Sequence, residues 1–211
     1  MTTDKLETPP VLRHSWTRRI DLPVATAFGC ILLLLLIGSL YSPNFLSPEY
    51  LLQQLKVGAF LGIIATGMML VILLGQIDLS VPWTVTLGAM MASAATAYGP
   101  LGEVAAIPFG VFCGVLLGLV NGIGVAYLRI PSMIITLAVN AVAQGLMVAY
   151  TGGFAPVDSA SPAMRVLAAG STGGIPNAVI VWAVTGVLAV FLLGRTTFGR
   201  AIYCIGNKEA A

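Results

Sequence analysis

Six stretches of this chain run without a single charged residue: 22–48, 57–77, 79–102, 104–128, 130–157 and 166–194. Each is long enough for one helix of roughly 20 apolar residues, the length that crosses about 30 Å of hydrocarbon, and none holds two helices and a turn. A water-soluble domain is excluded. Only 9% of the 211 residues are charged against 58% hydrophobic, whereas a soluble domain carries about 25% charged residues. Main-chain groups in lipid must be satisfied within the chain, which leaves helices or a closed barrel. These runs lack the alternation of barrel strands. The expected fold is therefore an all-α polytopic membrane bundle over 23–194. Its spans lie near 24–40, 57–76, 81–98, 106–128, 132–151 and 177–194, between a tail over 1–22 and a basic segment over 195–211.

Lys and Arg placement sets the orientation. With both ends inside, the inner segments hold Lys5, Arg13, Arg18, Arg19, Arg129, Arg195, Arg200 and Lys208, and the outer ones only Lys56 and Arg165. The layout is thus N-in and C-in. The first apolar run lacks a small-x-small cleavage site and reads as an uncleaved signal anchor rather than a signal peptide. Tyr41–Gln54 reads as a polar outer loop, Arg129–Pro131 as a tight inner turn with Pro131 opening the next helix, and Thr151–Pro176 as the longest outer loop, either a docking surface or a connector.

Several chemistries are missing. The net charge of +2 does not argue for nucleic acid. Cys30, Cys113 and Cys204 form no CxxC pair and suggest neither a disulfide framework nor a metal site. The one histidine, His14, lies in the tail, no GxxxxGK[ST] phosphate loop is present, and the carboxylates stand apart. No cofactor is implied, and the chain does not read as an enzyme.

Gly75-Gln76-Ile77-Asp78-Leu79-Ser80-Val81-Pro82 is the most informative segment. Asp78 separates two apolar runs, and a carboxylate near membrane depth is a functional candidate by default. Ser80 or Asp78 suits a helix cap and Pro82 a first helical turn. The segment then reads as a helix end, a short break and a helix start, as transporters place beside a substrate path; the alternative is an ordinary capped turn at the cytoplasmic surface. Gly110, Gly114, Gly118 and Gly122 recur every four residues and predict a flat helix-packing face, with Asn121 at its border. A weaker small-residue row follows Gly58, Gly62 and Thr66. Thr136, Asn140 and Gln144 share one face of the fifth span, either for interhelical hydrogen bonds or to line a path for a hydroxylated solute.

Together these segments resemble the permease subunits of bacterial monosaccharide ABC importers of the ribose, xylose and arabinose type. The likeness rests on Gly67–Ile72 running into Ile77–Val81, on Ile130–Leu137, on Tyr150–Gly153, and on Phe198–Tyr203 with Gly206-Asn207. The resemblance implies a multi-pass permease of the cell (inner) membrane that pairs with a second permease copy. It implies a cytoplasmic ABC ATPase as motor, an extracytoplasmic sugar-binding protein as donor, and membrane lipid as solvent. Gln76, Asp78, Ser80, Thr136, Asn140 and Gln144 then belong to the substrate path or gate. Phe198, Gly199, Arg200, Tyr203, Gly206 and Asn207 begin the loop that meets the ATPase. Such permeases often carry two glycines at Gly75-Gln76, a glycine at Pro82 and a basic residue near Gln144, and they continue through further spans beyond Ala211. A fragment is expected. The rival readings are an amino-acid ABC permease, an ATP-independent secondary transporter or channel, and a non-transporting remnant.

Overall fold

The computed structural model describes residues 22–153 and 159–206. Within these it is helical almost throughout, with two compact units that divide at Leu51. In the first, helix α1 (Leu22–Tyr41) buries none of its residues against protein, as a helix solvated by lipid does. A 3-10 turn, Pro43–Leu46, then lays the Phe45 ring on Gly38 and 4.8 Å from the Tyr50 ring. Helix α2 (Pro48–Leu73) starts earlier than the sequence suggests. Pro48 opens it, the Ser47 hydroxyl accepts from the Tyr50 amide, and Glu49 sits in the first turn, where a negative charge is favoured. Most of the segment expected as a polar loop is therefore helix.

In the second unit α2 ends at a Schellman motif. The Gln76 amide reaches the Val71 carbonyl and the Gly75 amide the Ile72 carbonyl, with Gly75 at φ +72°. That conformation is nearly free of strain only for glycine. An extended stretch leads to Ser80, and α3 (Val81–Ala95) begins there with Pro82 in its first turn. A 3-10 turn and Gly99 at φ +73° reverse the chain into α4 (Gly99–Ala126). The two helices pack antiparallel: Gly88 meets Gly110, Thr84 meets Gly114, and the Ala95 carbonyl lies on Gly102. Helix α5 (Ser132–Thr151) follows a turn in which Arg129 adopts φ +53°. Pro131 is the N-cap of α5, one position before the first turn expected for it.

Five helical stretches among the described residues are long and apolar enough to cross a bilayer: Leu22–Tyr41, Pro48–Leu73, Val81–Ala126, Ser132–Thr151 and Asn177–Arg195. The third, 46 residues long, is the α3–α4 hairpin, which the sequence reads as two spans. Its legs differ. At 1.5 Å per residue the 15 residues of α3 cover about 22 Å, short of the ~30 Å core, while α4 exceeds it.

The core is small: Leu87, Ala143 and Met147 form its centre, with Trp83, Met91, Cys113 and Leu117 packed around them. Beyond α5, the part of the expected Thr151–Pro176 loop that is described is ordered. Helix α6 (Pro162–Ala169) is capped by Ser161, whose hydroxyl accepts from the Met164 amide. Strands β1 (Ser171–Thr172) and β2 (Ile175–Pro176) pair around Gly173-Gly174. Asn177 ties these together, donating to the Val166 carbonyl and accepting from Thr172. It opens α7 (Asn177–Arg195), whose Trp182 lies on Gly62 of α2. The short amphipathic helix α8 (Thr197–Gly206) completes the described chain.

Candidate functional site at a break between two helices

Between Gly75 and Ser80 the backbone is neither helix nor strand, so its amides need partners from elsewhere. They find hydroxyls on the first turns of α5. The Ile77 amide donates to Ser132 Oγ at 3.3 Å and the Leu79 amide to Thr136 Oγ1 at 3.0 Å. Thr136 is 3% exposed, and its own hydroxyl proton goes back to the Ser132 carbonyl, 2.7 Å away. Helix α5 thus holds the break with two side chains one turn apart.

Asp78 folds onto the next helix start. Its Oδ1 accepts from the Ser80 amide at 2.8 Å and from Ser80 Oγ at 2.6 Å. Ser80 is the N-cap of α3, but its hydroxyl oxygen accepts no capping bond from the helix amides; the hydroxyl donates to Asp78 instead. The expected cap by Ser80 or Asp78 is replaced by this local Asx turn. Ser80 Oγ accepts in turn from Asn121 Nδ2 of α4 at 2.8 Å. Asn121 donates to Ser80 and Ser80 to Asp78, a directed chain that ends on the carboxylate, each bond polarising the next. Ser80 is 1% exposed and Asn121 7%.

Among the described residues, Asn121 Oδ1 is buried without a hydrogen-bond partner, as is Asn140 Oδ1. An unsatisfied buried acceptor costs about 1–3 kcal/mol.

The residues singled out in sequence fall into two groups. Asp78, Ser80 and Thr136 come together; Gln76 is half-buried beside them and closes the Schellman motif with its amide. Asn140 is half-buried one turn further along α5, and Gln144 is exposed. The glycine row divides likewise. Gly110 and Gly114 meet α3, while Gly118 and Gly122 have open space where a Cβ would stand. Each four-residue step advances about 40° around a helix of 3.6 residues per turn, so two or three steps leave the contact face by about 80–120°. The face in use on α5 mixes steps of three and four: Thr136, Val139, Ala143 and Met147. Sequence reading missed Ser132 as a partner of the break, although a serine just after a proline at a helix start was a visible sign. In the C-terminal segment Gly199 is buried and Gly206 half-buried, Phe198, Arg200 and Tyr203 are exposed, and Asn207 lies outside the described residues.

A half-open apolar cleft of about 610 Å³, lined by Met91, Tyr98, Leu101, Phe109 and Tyr150 among others, shares no residue with this cluster.

The helices and their lipid-type surfaces define a multi-pass α-helical membrane protein. Within that class the chain belongs to the family described as the branched-chain amino acid transport system, permease component, which matches residues 50–211. It is 33% identical to the ribose import permease protein RbsC of Haemophilus influenzae, over 88% of this chain and 58% of that protein. It is 38% identical to the L-arabinose ABC transporter permease protein AraH of Azospirillum brasilense, over 82% of this chain and 51% of that one. The autoinducer 2 import system permease protein LsrC of Yersinia pseudotuberculosis is 32% identical over 87% of the chain. The chain therefore spans little more than half the length of these curated relatives. No solved structure matches it.

Proposed function

We propose that this chain acts as the transmembrane permease subunit of an ABC importer that moves a monosaccharide across the cytoplasmic (inner) membrane. The observation that carries the reading is the helix break at Asp78, whose amides hang on two hydroxyls and whose carboxylate is tied to α3 and, through Ser80, to α4. Irregular backbone at membrane depth is tolerated only against protein or a wet cavity. An Asp78 carboxylate with one oxygen engaged and the other free suits a solute rich in hydroxyl groups. The likeness to ribose and arabinose permeases supports a sugar as that solute.

Six crossings with both ends inside suit the aromatic placement as well as the charges. Tyr41, Tyr98 and Tyr150 close successive outer ends, and Tyr127 with Arg129 an inner one, as interfacial anchors do. The exposed Phe198, Arg200 and Tyr203 of α8 then face the cytoplasm, where an ABC ATPase docks and supplies the energy. A second permease copy and an extracytoplasmic binding protein complete the importer.

Assembled with those partners, Asp78→Ala is expected to lower pentose uptake about tenfold or more, the worth of a charged hydrogen bond, with membrane insertion unchanged. Normal uptake removes Asp78 from the path. The family's description favours a second reading, an amino-acid permease. Competition distinguishes the two: excess ribose or arabinose blocks uptake under the first, excess leucine under the second.

A further inference from the structure

Helix α8 presents Gly199, Ile202 and Gly206, at i, i+3 and i+7, on one face. Ile202 is 3% exposed. At one end of this face Gly199 lies on the Leu192 and Leu193 carbonyls of α7; at the other Gly206 lies on the carbonyl of Leu73, the last residue of α2. A Cβ at either position collides with those main-chain atoms. The opposite face, with Arg200, Ala201 and Cys204, is open, and Phe198, Tyr203 and Ile205 at its edges are all more than half exposed. So α8 is a strap laid from the end of α7 to the end of α2.

Its second anchor adjoins the Asp78 segment. Helix ends leave carbonyls without intrahelical donors; those of Val71 and Ile72 are taken by the amides that form the Schellman turn, and that of Leu73 meets Gly206 instead. Two residues later comes Gly75, then the stretch that hangs from Ser132 and Thr136. The start of the break is therefore set by α8 and its remainder by α5. We propose that Gly206 is a positioning residue for the Asp78 segment: its seat on Leu73 fixes where Leu74–Ser80 sits against α5, and a shift of α8 shifts that segment. The proposal deepens the transport reading, and rests on it only for what pushes on α8.

Amide hydrogen exchange on the whole chain in phospholipid nanodiscs tests the link without substrate or ATPase. In Gly206→Ala, and in Ile202→Ala as a milder release of the same face, Ile77 and Leu79 are expected to exchange about five- to tenfold faster, the effect of losing one hydrogen bond. The amides of Ala92, Ala106 and Ala143 keep wild-type rates, and Cys204→Ala on the open face changes nothing at Ile77 and Leu79. Wild-type rates at Ile77 and Leu79 in both inner-face variants overturn the proposal, and so does a loss of protection spread evenly through α3–α5. Loss of uptake in Asp78→Ala bears on the transport reading alone.

Discussion

Two junctions interrupt the helices between Pro48 and Ala126, and they are built in opposite ways. The turn from α3 to α4 is local. A 3-10 turn and Gly99 reverse the chain, and the two helices then touch backbone to backbone at Gly88 and Gly110. The junction from α2 to α3 is non-local. Its amides reach 55 and 57 residues ahead to Ser132 and Thr136, and Ser80 reaches Asn121. Packing of the first kind is lost only by separating whole helices, since interiors are close-packed and stiff. Hydrogen bonds of the second kind, worth around 0.6 kcal/mol each between membrane helices, break and re-form one at a time. A rigid hairpin beside a soft, polar break is an arrangement in which the break moves and the hairpin stays.

The largest expected effect breaks the rigid side. At Gly110 an added Cβ alone stands 2.6 Å from the Gly88 carbonyl oxygen and 3.0 Å from the Ala92 Cβ. Gly110→Leu is therefore expected to cost about 3 kcal/mol or more, the upper end of overpacking, read as a lower midpoint in detergent unfolding. A variant as stable as wild type would show that the hairpin is not held by this contact. Thr136→Val comes next. It keeps the volume but strands the Leu79 amide, at about 1–2 kcal/mol, and exchange at Leu79 rises while the hairpin amides stay protected. If it destabilised the protein as much as Gly110→Leu, the contrast between soft and rigid junctions would fail. Asn121→Leu is smaller still, because it removes a donor to Ser80 but also the unsatisfied Oδ1. Net stability is expected to change by less than about 1 kcal/mol, with the Ser80 amide as the site of faster exchange.

These two junctions also mark how far the sequence could be read. The helices were legible because lipid imposes long charge-free runs, and α5 falls at the expected bounds. Gly75, Asp78 and Pro82 marked the break, since each has a strong local reason to end or start a helix. Its partners were not legible: nothing local ties Ile77 to Ser132 or Ser80 to Asn121, and only the tertiary packing brings them together. Rows of identical spacing drift off the faces that pack within this chain. Gly118, Gly122 and Gln144 stand four or eight residues from true contact positions, and the helical pitch turns them off the face. Amphipathic α8 and the Asn177-centred cap of α6 and β1–β2 are short, and their mixed polarity hides them from a reading built on long apolar runs.

The smallest effect sharpens the comparison on the hairpin's own helix. Gly118 and Gly122 meet nothing within 4 Å, so the tight contact with α3 ends near Gly114. In an exposed helix interior, alanine is favoured over glycine by about 0.5–1 kcal/mol, because glycine loses more backbone freedom on folding. Gly122→Ala is accordingly expected to raise the unfolding midpoint of the isolated chain slightly, where Gly110→Ala lowers it. The same pair of variants, measured in the assembled importer, reads the outer half of the row. If Gly122→Ala stabilises the chain alone but weakens the assembly, another helix lies on that surface in the complex, and the glycine row serves two partners in turn. If it stabilises both, only the part of the row that faces α3 carries packing.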